Sequence, residues 1–534
     1  MRPSRPVSRR TVLKLGGGAA VLPLANVGLA AENRVLRFIP TADVTVLDPH
    51  WSTTYATRVH GYLVYDTLFG TDGNQVPSPQ MVETVQTEDD GRRWTLTLRP
   101  GLWFHDGEKV LARDCVASIR RWSQRDPYGG TLMAATDELT ARDDRTMVFR
   151  LKRPFPLLPA ALGKVPTTMP AMMPERLALT DPATQLKEVV GSGPFHFKAD
   201  ERVAGHRTVY ERFEAYQPRE TGNPDWTAGP KRVHFDRVVW TAIPDASTAS
   251  AALEKGEHDW WELVPADLLP RLSRKRGITV SVQDPTGFYM ILRLNHLHPP
   301  FDNPAIRRAL LGAVNQQDFV DAVVGPDPSM GRVGVGFFCP TSSMASGAGM
   351  AALTGARDLA RSRSAIAEAG CDGRPIVALA RSGDNENSRP MDVAAELMRK
   401  IGLGVDLQVS DWGTLMQRFF KREPIEQGGW NCVTYQVAGV DVWDPAMNNH
   451  LRANGQAARP GWPSSQALES LRDRWLEAED VATRQEIAAK IQLQAFEDVP
   501  YIPLGVHHLS TAYRSDLSGV LNGFAVFWNV NRAG

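Results

Sequence analysis

Four groups of residues in this chain could carry chemistry, and none closes into a reaction centre. His296 and His298 stand one residue apart and His507 and His508 are adjacent, which offers pairs of imidazoles to a transition metal but no third ligand at a fixed offset. The metal such pairs admit is a chelate carried in whole. Cys115, Cys339, Cys371 and Cys432 are scattered without a Cys-x-x-Cys pair, which removes zinc-ribbon, thioredoxin-like and disulfide-scaffold readings. Gly191-Ser192-Gly193 lacks the pattern that exposes a nucleophilic serine, and Gly331 to Gly336 has the wrong glycine spacing for a dinucleotide turn. His105 and Asp106 have no partner nucleophile or metal ligand and read as turn hydrogen-bonding groups before Gly107. No catalytic residue and no cofactor is expected.

The elements around these residues belong to a large mixed protein. The chain has 534 residues, 60 Lys and Arg against 60 Asp and Glu, and 43% hydrophobic residues. That length suits about three or four structural units, each able to bury a core. Lys and Arg concentrate nowhere beyond the first fourteen residues, so the counterion-release drive for nucleic-acid binding is missing. Trp94, Leu96 and Leu98 alternate with polar residues and predict a half-buried strand, as does the run from Met147 to Leu151. Helical spacing appears at Cys115, Val116, Ile119 and Trp122 after Asp114, and at Ile306, Leu310, Ala313 and Val314 after Pro304. It recurs at Val393, Leu397 and Ile401 and at Ile487, Ile491 and Ala495. Interleaved strands and helices predict α/β layers rather than a sandwich or a bundle.

Residues 1–30 have the form of an export signal. Arg2, Arg5, Arg9, Arg10 and Lys14 come without an acid, a Gly- and Ala-rich apolar stretch follows, and Gly28-Leu29-Ala30 offers a small-x-small cleavage site. Ser8-Arg9-Arg10-Thr11-Val12-Leu13-Lys14 resembles the twin-arginine signal, with Val12 where that motif usually has Phe. Cleavage after about Ala30 would leave a product of net negative charge, with no cysteine before Cys115 to carry a lipid, hence free in the periplasm. Twin-arginine export also suits proteins folded around a cofactor, so a periplasmic redox enzyme is the rival reading on the signal alone.

Thr45-Val46-Leu47-Asp48-Pro49, Val64-Tyr65-Asp66-Thr67-Leu68 and the dense block from Trp94 to Asp114 open a series of blocks that runs over nearly all of the mature chain. The series continues with Gly191 to Phe195, Ala252 to Asp259, Asn295, Pro300 to Leu310, Ala367 to Gly370, Met398 to Gly402, Asp444-Pro445 and Asp498 to Leu504. In their order and spacing the sequence resembles the family 5 bacterial extracellular solute-binding proteins, the peptide, nickel and opine receptors of ABC importers. The Gly-, Ala- and Ser-rich segment from Cys339 to Leu359 departs from the family pattern.

The resemblance implies a two-lobe periplasmic-binding-protein fold, large and type II-like with an extra subdomain, hinged between the lobes. It places lobe I at 31–284, lobe II at 285–505 and a return to lobe I at 506–534, with crossings near Asp284 to Gly287 and Leu504 to His507. It implies a monomer that closes on a peptide or other small molecule and serves permease subunits in the inner membrane. By alignment with dipeptide-binding members, Arg381 falls on the arginine that holds a peptide carboxylate and Asp441 on the aspartate that holds its ammonium. A guanidinium fork and a carboxylate suit those groups. Arg381 could equally belong to a solvated polar loop, and Asp441 could brace a turn. Those members have Gly-Trp ahead of the aspartate, where this chain has Ala438-Gly439. Trp51, Ser52, Thr53, Thr54 and Tyr55 fall in a region that lines the first-lobe side of the cleft in relatives, and Trp412, Trp430 and Trp443 offer either stacking faces or core bulk.

Overall fold

The computed structural model describes residues 34–533, apart from 167, 326, 372 and 384–386. The export-signal expectation for residues 1–30 lies outside the described residues.

Two mixed sheets form the body. The first has seven strands in the order Ile278–Val282, Ser510–Arg514, Trp260–Val264, Val35–Ile39, Arg237–Thr241, Arg207–Arg212 and Phe195–Phe197. The second has six, in the order Gly331–Arg332, Ile502–His507, Phe288–Leu294, Cys432–Ala438, Ile376–Arg381 and Val405–Ser410. A separate antiparallel sheet of four strands spans Val82–Glu88, Arg93–Leu98, Thr146–Leu151 and Thr136–Ala141. The chain passes from the seven-stranded to the six-stranded sheet between Val282 and Phe288 and returns between His507 and Ser510. In register, Val282 pairs with Ser510 and Phe288 with His507, so the two passages run side by side.

Local chemistry explains the elements. Trp94, Leu96 and Leu98 are all buried, which is why the Arg93–Leu98 strand keeps its register against Thr146–Leu151. The helix Ala112–Ser123 begins two residues before Asp114, because that carboxylate reaches back to accept the Leu111 N–H at 2.8 Å. Pro304 opens the helix Pro304–Ala313, with Asn303 accepting the Ala305 N–H at 2.9 Å. Ile487, Ile491 and Ala495 lie buried on Val481–Asp498, whereas Val393 and Leu397 are only partly buried on Arg389–Lys400, whose buried face is Met391, Ala394, Ala395 and Met398, and Ile401 is its C-cap.

Buried charges tie distant segments together. Arg121 donates from its two Nη atoms to Asp48 at 3.1 and 2.7 Å, and both side chains are essentially inaccessible. Asp48 also accepts the N–H groups of His50 and Leu186, so both of its oxygens are saturated. Lys231 is paired in the same way with Asp66 at 2.7 Å, and the Tyr216 hydroxyl donates to that carboxylate's other oxygen. Each pair is satisfied only as a whole, since removing one partner strands a buried charge.

Two outcomes follow for stability. R121A is expected to lower unfolding free energy by about 3–5 kcal/mol in urea titrations, and D48A/R121A to lose less than the sum of the single variants. Burial holds the His50 imidazole down to about 4 and that of His60, His105 and His507 down to about 3. Between the unfolded value near 6.5 and those native values, the unfolded chain binds more protons, so stability falls on acidification through that window. Moving from pH 7 to pH 5 should cost about 2 kcal/mol for each such histidine, and H50Q should flatten the urea midpoint against pH.

Candidate functional site

The site is the junction where the two passages bring the sheets together. On the first side, the helix Tyr55–Val64 enters from a hydroxyl-rich segment. Ser52 Oγ lies 3.0 Å from Thr54 Oγ1, which lies 2.8 Å from Thr57 Oγ1, and Thr57 donates to the Val46 carbonyl at 2.7 Å. That chain of hydroxyls fixes the helix start, leaving Thr53 exposed. Trp51 is partly exposed, with the Arg125 guanidinium 5.4 Å from its ring, and its Nε1 donates to the Ala183 carbonyl.

Tyr55 carries the contact across. Its ring lies 6.4 Å from that of Phe288, which stacks at 5.7 Å on His507, and His507 Nε2 is 2.8 Å from Gln436 Oε1. The outward passage is turned by Asp284, whose Oδ1 accepts the N–H and hydroxyl of Thr286 at 2.9 and 2.6 Å. Gly439 donates its N–H to the Gly287 carbonyl at 2.8 Å. A Cβ on Gly439 would lie 2.2 Å from the Thr286 carbonyl oxygen, so only glycine lets this segment close on the passage. The Ala438-Gly439 pair therefore has a local structural reason.

Two residues beyond Gly439, Asp441 sits in the short turn Gly439–Val442, with Oδ2 accepting the Ala438 N–H at 3.0 Å. Desolvation raises its carboxyl pKa, opposed by the positive charges of Arg58, Lys164 and Arg459, the first two from the opposite side of the junction. Arg58 is 3% exposed, with its guanidinium 4.6 Å from the Tyr55 ring and 4.7 Å from the Phe524 ring. Glu262 and Asp284 also feel that charge, and burial raises both of their pKa values.

The other expected residues fall into different surroundings. Arg381 ends the strand Ile376–Arg381, and its guanidinium lies 5.4 Å over the ring of Trp412, which is 46% exposed. Arg381 and Trp412 are thus brought together, as are Tyr55 and Arg58, with Asp441 in reach of the Arg58 charge, while no hydrogen bond or ion pair joins Arg381 to Asp441 among the described residues. Trp430 is fully buried against Phe419 and donates its indole N–H to that residue's carbonyl at 3.1 Å. Trp443 is buried in the main core, its carbonyl accepting from Ser342 Oγ.

Sequence reasoning missed Arg58 and Glu262, and read Asp284 only as the start of a crossing. The available signal was Arg58 itself, a cation inside Thr57 to Val64, every residue of which is buried. The histidine pairs do not converge: His298 Nε2 is 2.8 Å from the Arg422 carbonyl, and His296 is half-buried, near Arg307 and Arg293. Among the described residues no three His, Cys, Asp or Glu side chains are grouped to hold a metal ion, and no helix is long and apolar enough to cross a membrane.

Comparison with known proteins gives this junction its setting. The profile of the bacterial extracellular solute-binding proteins, family 5 (middle), matches residues 76–458. The chain is 34% identical over 536 residues to a probable peptide ABC transporter periplasmic-binding protein, y4tO, of Sinorhizobium fredii, covering 99% of this chain and all of that one. It is 23% identical over 542 residues to the glutathione-binding protein GsiB of Pectobacterium atrosepticum, covering 96% of each. Among solved structures, the Helicobacter pylori periplasmic binding protein DppA in complex with the peptide STSA superposes with a TM-score of 0.77 at 22% identity, over 95% of this chain and all of that one. AgaA of A. tumefaciens in complex with agropinic acid gives 0.77 at 20% identity, over 93% and 100%. The α/β fold is thus the two-lobe periplasmic-binding-protein fold, and the role is that of a solute-binding receptor for an ABC importer. The chain belongs to family 5 of the bacterial extracellular solute-binding proteins.

Proposed function

We propose that this receptor captures a small peptide, or another solute carrying both an ammonium and a carboxylate, between its lobes and delivers it to the permease subunits of its importer. Lobe I is residues 31–284 with the four-stranded sheet as its extra subdomain; lobe II, expected at 285–505, extends to the end of the strand Ile502–His507, and the chain returns to lobe I from there. The observation that carries the reading is the position of Asp441, a carboxylate at the junction of two sheets whose connecting passages lie side by side. A ligand ammonium there replaces lost hydration with a charge-assisted hydrogen bond, and Arg381 on the Trp412 face takes the carboxylate. Contacts to both lobes exist only when the lobes meet, so binding shifts the population toward the closed form.

The names of the relatives supply the ligand classes to test, namely peptides, glutathione and an opine. The family is one of transport receptors rather than enzymes. Export by the twin-arginine route, cleavage after about Ala30 and a monomeric, unanchored periplasmic product complete the proposal.

A thermal-shift screen of the mature protein against di- and tripeptides, glutathione, opines and nickel chelates should return a peptide-class hit. Its apparent stabilisation is expected to be about 2.7 kcal/mol at a hundredfold excess over Kd. D441A and R381A should each weaken that hit by about 2–5 kcal/mol in calorimetric titrations while leaving the Tm of the ligand-free protein nearly unchanged. Unaltered affinity in both variants would remove the ammonium and carboxylate assignments.

A further inference from the structure

Arg58, among the described residues, is a strongly buried cation at the junction whose pairing is incomplete. Its Nε is inaccessible to solvent and has no hydrogen-bond partner, and the side chain forms no ion pair among the described residues. The rings of Tyr55 and Phe524 hold the guanidinium plane at 4.6 and 4.7 Å, so its direction is fixed by packing. Of the carboxylates that face it, Glu262 accepts the Thr41 N–H on Oε2 at 2.7 Å and Asp284 accepts from Thr286 on Oδ1, while Glu262 Oε1 is, like Arg58 Nε, buried without a hydrogen-bond partner. By contrast, Lys164, the neighbouring cation that also faces Asp441, is already paired with Asp126.

A guanidinium with Nε free presents a side-on fork to a carboxylate, and a buried donor without an acceptor is costly to maintain unless something fills it. Asp441 stands across the junction as the group suited to an ammonium. A ligand whose ammonium meets Asp441 sets its first residue beside Arg58.

We infer that Arg58 is a further ligand-contacting residue that determines specificity, taking a carboxylate carried by the ligand's first residue next to the ammonium held by Asp441. This rests on the peptide-receptor reading and narrows it to ligands with an acidic amino-terminal residue. The carboxylate has two chemical sources, the side chain of an α-linked glutamate or the α-carboxylate of a γ-linked glutamyl head. In the second, ammonium and carboxylate share one carbon, which suits two opposed charges most directly.

The test is a calorimetric series on the mature protein with four tripeptides that differ only in the first residue: α-Glu, γ-Glu, Gln and Lys. The wild type is expected to bind the α-Glu or the γ-Glu peptide roughly tenfold or more tightly than the Gln peptide, the two acidic arms identifying the source. R58Q should abolish that preference while changing affinity for the Gln peptide less than about threefold, and R58K should keep part of it. Equal affinity of the wild type for the acidic and Gln peptides overturns the inference and leaves the peptide receptor standing, whether or not R58Q folds. A uniform loss for every peptide in R58Q also overturns it, because it marks a structural role. Failure of all four peptides to bind the wild type removes the peptide reading, and this inference with it.

Discussion

The molecule depends on one constraint: the polypeptide must travel between its two main sheets twice, and both journeys occur in the same place. Val282 opposite Ser510 and Phe288 opposite His507 form the ends of an antiparallel ribbon that belongs to both sheets. Relative motion of the lobes is thereby concentrated at a few residues, the geometry in which hinge closure around a ligand operates. Asp284 turning onto Thr286, and Gly439 pressed against the Thr286 carbonyl, keep the segment leading to Asp441 anchored to that ribbon. Asp441 is therefore fixed beside that ribbon rather than carried on a free loop.

Burial of charge runs through the structure at two levels of completeness. In Asp48 with Arg121 and Asp66 with Lys231 every carboxylate oxygen is matched, and these pairs tie distant segments together. At the junction the pairing is left open: Arg58 Nε and Glu262 Oε1 are both buried and unmet. The contrast is one of degree, since Arg121 Nε is also buried without a partner, but at the junction a cation and a carboxylate are both left with an unmet atom.

Much of the architecture was legible in the sequence because period and punctuation agree with burial. Trp94, Leu96 and Leu98 alternate and are all buried, and Pro304 after Asn303 opens a helix whose apolar stripe faces inward. The Asp48-Pro49 and Tyr65-Asp66 blocks were visible as family marks, but their reason was not, since their partners Arg121 and Lys231 are 73 and 165 residues away. The junction was legible only in part. Asp441 and Tyr55 could be placed by resemblance, whereas Arg58, Glu262 and Asp284 meet only after a helix, a strand and a passage from three separate regions are folded together. Tryptophan was ambiguous for a physical reason: the same side chain is an exposed plate at Trp412 and core filling at Trp430.

The place of the strand Ser510–Arg514 bears on how the protein is made. It lies between Ile278–Val282 and Trp260–Val264, inside the first lobe's sheet rather than at its margin. Vectorial synthesis cannot complete that lobe until almost the whole chain has left the ribosome, however early its other strands emerge. A nascent chain stopped before Ser510 would hold two separated strands with a gap between them, and the amino-terminal lobe would be the last to reach its final form.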